Sequence, residues 1–289
     1  MRVPSVSVII SVFGQLEYTK RCLSALKKTL EGKIDFEILI VDDASEDGSI
    51  EYLRTLDYPY RVFFNAERKG FSKNNNFAAS EAKGEFLCLL NNDCFVEEDW
   101  LLPMIEVFKQ KENVGVVGNI QRLAGTNMFD HMGVVFGPQG NPRHYGQWFK
   151  KKAFCGEVKK WSAVTAACCV LKREIFLEIN GFDEIFINGC EDVDLCLRFN
   201  RKGYDNYVVH DSVVDHVKGA TDGRKRYNDR NFEILQNRWG TEIRAIESVN
   251  DQVLHAHNYI YRGIVRPFST NFWKWFEAIL IYLRIKKLR

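Results

Sequence analysis

An excess of charge of either sign is missing from this chain: 40 lysines and arginines face 38 aspartates and glutamates over 289 residues, a net charge of +2 at neutral pH. No global field therefore marks a nucleic acid as partner, and charge-dependent function has to be local. A membrane-spanning run is missing too. Such a helix needs about 20 apolar residues, whereas the apolar tail NFWKWFEAILIYLRIKKLR, from Asn271, is interrupted by Lys274, Glu277 and Arg284. The N-terminus, MRVPSVSVII, enters a β-like segment without the apolar core and cleavage site of a secretory signal, so the chain is expected in the cytoplasm. The cysteines have neither redox nor zinc spacing. Cys22, Cys88, Cys94, Cys155, Cys190 and Cys196 are scattered and Cys168 and Cys169 adjoin in an apolar run, which reads as buried reduced thiols. Repeats and low-complexity stretches are absent, and a hydrophobic content of 46% excludes disorder and suits one large α/β domain with at most a small appendage.

What is present is alternation. VSVIISVF, FEILIVDD, RVFFN and EFLCLL read as strands, separated by helical patterns over 15–30, 47–56 and 72–83. A further helix is expected to open near Glu97, and VGVVGNI to form a strand over 114–120. This order implies a mostly parallel sheet covered on both faces, with ligands bound at the carboxyl ends of its strands. Residues 121–160, rich in Gly, Asn, Pro and aromatics, read as hairpins and loops. WSAVTAACCVLK reads as one strand, 173–180 as a short helix, GFDE as a turn and 191–202 as a second helix.

Carboxylates gather at the expected edge. IVDDASEDGS ends a strand in Asp42 and Asp43, either of which suits a base or ribose contact; Asp43 is the choice for the base, and helix capping is the competing role. LLNNDCFVEEDWL places Asp93 where a diphosphate and its Mg or Mn ion would lie, with Asn91 where a second acid would be expected. CEDVDLCLR opens a helix with Glu191, Asp192 and Asp194. The helix dipole alone favours acids there, yet one carboxylate so placed suits a general base, and Asp192 is assigned to that role. VVHDSVVDHVKGAT offers His210 and His216; each is as easily structural as functional, and His216 is the better metal or diphosphate candidate. GFSKNNN suits close packing beside a nucleotide, or simply a solvated first turn.

In this order the motifs resemble the family 2 glycosyltransferases over roughly residues 5–240. SVIISVF, EILIVDDASEDGS, GFSKNNN, LLNNDCFVEEDWL, 166–174, GFDEIF, CEDVDLCLR and DHVKGAT carry the likeness. It implies a GT-A (Rossmann-like) α/β fold and inverting transfer from a nucleoside-diphosphate sugar, with UDP or dTDP donors favoured, in cell-surface polysaccharide synthesis. Asp43 is implied at the base, with Ser11 and Phe13 lining the same pocket and Asn75 and Asn92 completing the nucleotide-sugar contacts. Asp93 is implied as the last acid of the metal motif, His216 as an added metal or diphosphate contact, Asp192 as the base and Glu191 beside it near the acceptor. Asn91-Asn92-Asp93 replaces Asp-x-Asp, a feature shared with the rhamnosyltransferase-like branch. Two other readings stand beside this one. A nucleotidyltransferase would need a Gly-rich basic loop after the first strand, where SVFGQLEYT has one glycine and no base. A non-catalytic nucleotide-sugar scaffold would be expected to lack Asp93 or Asp192.

The catalytic domain is expected over 1–240 and a helical extension over 241–289. In the tail, Phe272, Phe276, Ile279, Leu280 and Leu283 share one helical face, with Lys286, Lys287 and Arg289 at the end. Such a helix suits the inner face of an anionic plasma membrane, near a lipid-linked or saccharide acceptor; packing on the domain or on a second copy is the alternative.

Overall fold

The computed structural model describes residues 5–137, 139–150, 156–217, 224–246 and 249–286. Cys155, Lys287, Arg289 and the KGAT of DHVKGAT lie outside them. β1 (Val6–Val12), β2 (Phe36–Asp42), β3 (Tyr60–Phe64) and β4 (Phe86–Leu90) alternate with α1 (Leu16–Leu30), α2 (Ser49–Leu53) and α3 (Phe71–Glu81). These strands read as near-continuous apolar runs because both faces are covered. Val8 and Ile10 of β1 pack with Cys22, Leu23 and Leu26 of α1, whereas Ile9 packs with Ala78 and Ala79 of α3. Burial of each such aliphatic side chain contributes about 1.5–3 kcal/mol.

The chain continues through β5 (Cys94–Val96), α4 (Leu102–Gln110), β6 (Val114–Leu123), β7 (Phe129–His131), β8 (Val134–Phe136), β9 (Pro142–His144) and β10 (Val158–Trp161). β11 (Cys168–Lys172), α5 (Arg173–Glu178), α6 (Glu191–Arg201), β12 (Asp205–His216), α7 (Asn228–Ile246), α8 (Val249–Val265) and α9 (Phe272–Tyr282) complete it. The strand order is β10-β12-β6-β11-β4-β1-β2-β3, and β8 and β9 form a separate hairpin. β1 pairs parallel with β2 and β4, β2 with β3, and β6 with β12. β11 runs antiparallel to both β4 and β6, so the sheet is mixed where an all-parallel array would follow from simple alternation.

Several elements depart from the sequence pattern for identifiable reasons. WSAVTAACCVLK is not one strand: Trp161 ends β10 at the sheet edge, and only Cys168–Lys172 enters the centre. No helix opens near Glu97, because Cys94, Phe95 and Val96 are buried as a strand against β12; α4 begins later, with a proline in its first turn. β6 continues past residue 120 to Leu123, still paired with β12. The boundary drawn at 240/241 falls inside α7, whose Trp239 is buried against Asp194 of α6. α8 in turn grips the β8–β9 hairpin region: Gly146 N donates to Asn258 Oδ1 at 3.0 Å, and the Tyr145 hydroxyl meets His257 Nδ1 at 3.1 Å.

The described cysteines carry no disulfide and all but the half-buried Cys190 are buried, with burial pushing the Cys190 thiol up to about 12 and the Cys22 and Cys196 thiols higher still. Among the described residues, no helix is long and apolar enough to cross a membrane.

Candidate active site

Three strand ends and one helix start carry the candidate residues. After β1, the turn around Gly14 is held from the β2–α2 loop, with Gly14 N donating to Ser45 Oγ (2.7 Å) and Leu16 N to Asp47 Oδ2 (3.0 Å). Of the two acids ending β2, Asp42 closes its own turn by accepting from Ser45 N (3.1 Å). Asp43 organises the segment after β3: it accepts from Lys69 N (2.7 Å), Gly70 N (2.9 Å) and Asn65 Nδ2 (3.0 Å). Gly70 adopts φ 90°, a conformation that favours glycine and lets the chain turn into α3 while its N–H reaches Asp43. Beside this network Phe13 is 40% exposed, with the Arg68 guanidinium 3.7 Å from its ring centre. A flat, half-open cation–π pair of this kind is a platform for a planar ring.

The asparagines of GFSKNNN are not a solvated turn. Asn74 Nδ2 donates to Ser11 Oγ (3.0 Å) while its Oδ1 accepts from Asn65 (2.8 Å). Asn75, chosen from the sequence, is buried and turned into its own helix, donating to Phe71 O (2.8 Å). Asn76 clamps the GFDE turn, accepting from Phe182 N (2.8 Å) and donating to Phe182 O (2.9 Å). The amide linked to Ser11 is therefore that of Asn74, beside a cleft of about 520 Å³ lined by Phe64, Asn65, Lys69, Lys73, Asn74 and Glu184, among others.

The second corner follows β4. Asn91 N donates to Ala167 O (2.9 Å), and Asn92 Nδ2 to Thr19 Oγ1 (3.0 Å), which leaves Asn92 bracing α1. Asp93 is 8% exposed, and its Oδ1 has no hydrogen-bond donor although it is buried. That oxygen lies 3.4 Å from His216 Nε2. The pairing of β5 with β12 brings them together, His216 standing opposite Cys94 and Val217 N bonding Asp93 O at 3.0 Å. His216 Nδ1 sits 3.1 Å from Gln121 Oε1. With Gln121 Oε1 as acceptor for a hydrogen on Nδ1, Nε2 would be left as a ligand atom beside Asp93. Cys94 completes a cluster whose ligand atoms lie within 4.8 Å of one another. Its thiol, kept protonated by burial and donating to Ala167 O, is a poor partner for a hard cation. An unsatisfied buried carboxylate oxygen facing an imidazole nitrogen fits a divalent metal, which would leave other positions for water and phosphate oxygens. His210 is buried further back in β12 and is not part of this cluster.

Helix α6 separates its three acids by depth. Asp194 is fully buried, accepting from Arg198 Nε, Arg238 Nη1 and Trp239 Nε1, each at 2.8 Å, so it knots α6 to α7. Glu191 accepts from Gly189 N just ahead of the helix. Asp192 accepts from Val193 N (2.8 Å) and from Ala166 N (3.3 Å). Ala166 adjoins Ala167, whose carbonyl holds Asn91, so Asp192 and the Asp93 turn are fixed to the same short segment. Each Asp192 oxygen retains a lone pair for an incoming hydroxyl. Gln121 and Asn74 escaped the sequence reading. Gln121 falls just past the apolar run VGVVGNI, and only its strand pairing reveals that it backs His216.

A family model described as glycosyl transferase family 2 matches residues 7–179. Protein y4gI of Sinorhizobium fredii is 30% identical over 274 residues, covering 88% of this chain and 30% of that protein. The O-antigen biosynthesis protein RfbC of Myxococcus xanthus is 37% identical over 154 residues, covering 51% and 12%. This chain thus spans less than a third of either relative. Among solved structures, GalNAc-T7 with UDP, GalNAc and Mn²⁺ superposes with a TM-score of 0.64 at 19% identity, over 74% of this chain and 44% of that one. The central sheet with its flanking helices is accordingly a GT-A fold. With the family match running from β1 through the Asp93 turn to α5, over more than half of its residues, the chain belongs to glycosyl transferase family 2.

Proposed function

We propose that this chain is an inverting glycosyltransferase that moves a hexosyl or deoxyhexosyl group from a nucleoside-diphosphate donor to an acceptor hydroxyl by direct displacement. The observation that carries the reading is the orphaned Asp93 oxygen facing His216 Nε2, with Asp192 bonded to Ala166, next to the Ala167 carbonyl that holds the Asp93 turn. The Phe13–Arg68 platform would stack the base, and Asp43 would hold the loop that meets it. A pyrimidine nucleotide, UDP or dTDP, is the favoured donor, in keeping with the UDP of the GalNAc-T7 structure. Asp93 and His216 would hold the divalent ion, and an imidazole nitrogen favours Mn over Mg. When bound, such an ion offsets the negative charge of the departing diphosphate.

The chain's own groups do the rest. Asp192 accepts the proton of the acceptor hydroxyl as that oxygen bonds to the anomeric carbon from the face opposite the diphosphate. The anomeric carbon–oxygen bond breaks, and its electron pair leaves with the nucleoside diphosphate. Backbone N–H groups of Val193 and Ala166 orient the Asp192 carboxylate, and Glu191 stands beside it near the acceptor. The acceptor enters from the side of residues 121–160, as a saccharide or lipid-linked saccharide; the O-antigen name of RfbC supports a place in cell-surface polysaccharide synthesis. Asn91 in the metal turn keeps a rhamnosyltransferase-like donor in view.

Calorimetric titration of wild type and Asp93→Ala with UDP-, dTDP- and GDP-sugars, with and without Mn²⁺, tests the reading. Metal-dependent binding of one donor, lost in the variant, is expected. Failure of every donor to bind wild type would overturn the reading.

A further inference from the structure

The C-terminal hairpin of helices leaves a second apolar face uncovered. α9 is fastened to α8 by one side: Trp275 Nε1 donates to Ile260 O (3.0 Å), Tyr282 stacks on His257, and Ala278 is buried. Around the helix from that seam, Phe272, Phe276, Leu280 and Leu283 recur at the spacing of one stripe. Phe272 is 65% exposed and its neighbour Trp273 76%. Ile264, Phe268 and Ile285 extend the apolar surface at either end, all exposed.

The charge around this surface is predominantly basic. Residues 262–286 hold Arg262, Arg266, Lys274, Arg284 and Lys286 against a single acid, Glu277, which pairs with Lys286. A second copy seated antiparallel on the same face would set Lys274 of each copy towards Arg284 of the other, like charge on like charge. A negatively charged surface meets no such penalty, and tryptophan and phenylalanine beside lysine and arginine are the side chains that settle at the boundary between headgroups and acyl chains.

We infer that the exposed face of α9, with Phe268 and Ile285, is a docking surface for an anionic lipid bilayer, on which the helix lies flat. The inference stands apart from sugar transfer, since it is measured without donor or acceptor. The full chain is sedimented with phosphatidylcholine vesicles and with phosphatidylcholine–phosphatidylglycerol vesicles over a range of salt concentrations. Wild type is expected to partition onto the anionic vesicles and to be released by salt. Trp273→Ala with Phe276→Ala should lower the partition coefficient at least about tenfold, and Lys274→Gln and Arg284→Gln roughly fivefold each. Unchanged thermal melting and nucleotide binding in these variants would show that the fold survives. Wild type remaining in the supernatant, equal binding to both vesicle types, or a dimer dispersed by Trp273→Ala would each overturn the inference.

Discussion

Replacing Gln121 separates metal binding from folding. The side chain is fully buried, and its Oε1 lies 3.1 Å from His216 Nδ1, placed to hold the ring hydrogen there. In Gln121→Leu the ring loses that acceptor, so both tautomers and other ring orientations become accessible and Nε2 no longer presents a fixed lone pair beside Asp93. Loss of such a supporting hydrogen bond lowers metal affinity by about 10- to 100-fold, or roughly 1.4 to 2.7 kcal/mol. Folding should hardly suffer. The Gln121 amide nitrogen is itself buried without a partner, and its removal relieves a desolvation cost of about 1–3 kcal/mol that offsets the lost bond. Mn²⁺ binding followed by electron paramagnetic resonance, alongside urea denaturation, measures both. Gln121→Glu, which keeps an acceptor at the position, should retain much more affinity than Gln121→Leu. If Gln121→Leu binds Mn²⁺ as wild type does while Asp93→Ala does not, His216 is not a ligand and the argument from its tautomer fails.

Asp192→Asn should leave donor affinity near wild type and reduce turnover by about 10²- to 10⁴-fold, measured with an identified acceptor; full activity would exclude Asp192 as the base. Asp194→Ala leaves Arg198 and Arg238 facing a buried gap and should destabilise the fold by about 3–5 kcal/mol in urea denaturation. A small effect would mean that the knot between α6 and α7 is ornamental. Burial, helped by the nearby Arg143 charge, depresses His255 from 6.5 to about 4. The unfolded chain therefore binds a proton that the folded chain refuses between these values, and stability falls as pH drops through that window by up to about 3 kcal/mol. His255→Gln should flatten that part of the stability–pH curve, and an unchanged slope would assign the dependence elsewhere.

The position of several candidate residues was legible because they sit where apolar runs stop. Asp43 and Asp93 follow strands whose hydrophobicity alone marks their ends, and the acids of CEDVDLCLR precede an evident amphipathic helix. The division of labour within these clusters was not legible. Asp42 and Asp43 are adjacent, yet one closes a turn and the other holds a loop some 25 residues on. Asp194 differs from Asp192 only by two positions on a helix, about 200° of rotation, and that rotation sends it into the core with two arginines. Asn74, Asn75 and Asn76 look alike in sequence and face three different partners.

Local pattern by itself determined the alternation of strands and helices, the two-sided burial of the central strands, and the edge at which the carboxylates gather, since each depends on residues near one another in the chain. Tertiary structure alone decided the antiparallel insertion of β11, the pairing of β5 with β12, and through it the meeting of Asp93, His216 and Gln121. Those contacts span up to 123 residues of chain. Strand order and register choose them, and no periodicity within a window of one helix or strand carries that information.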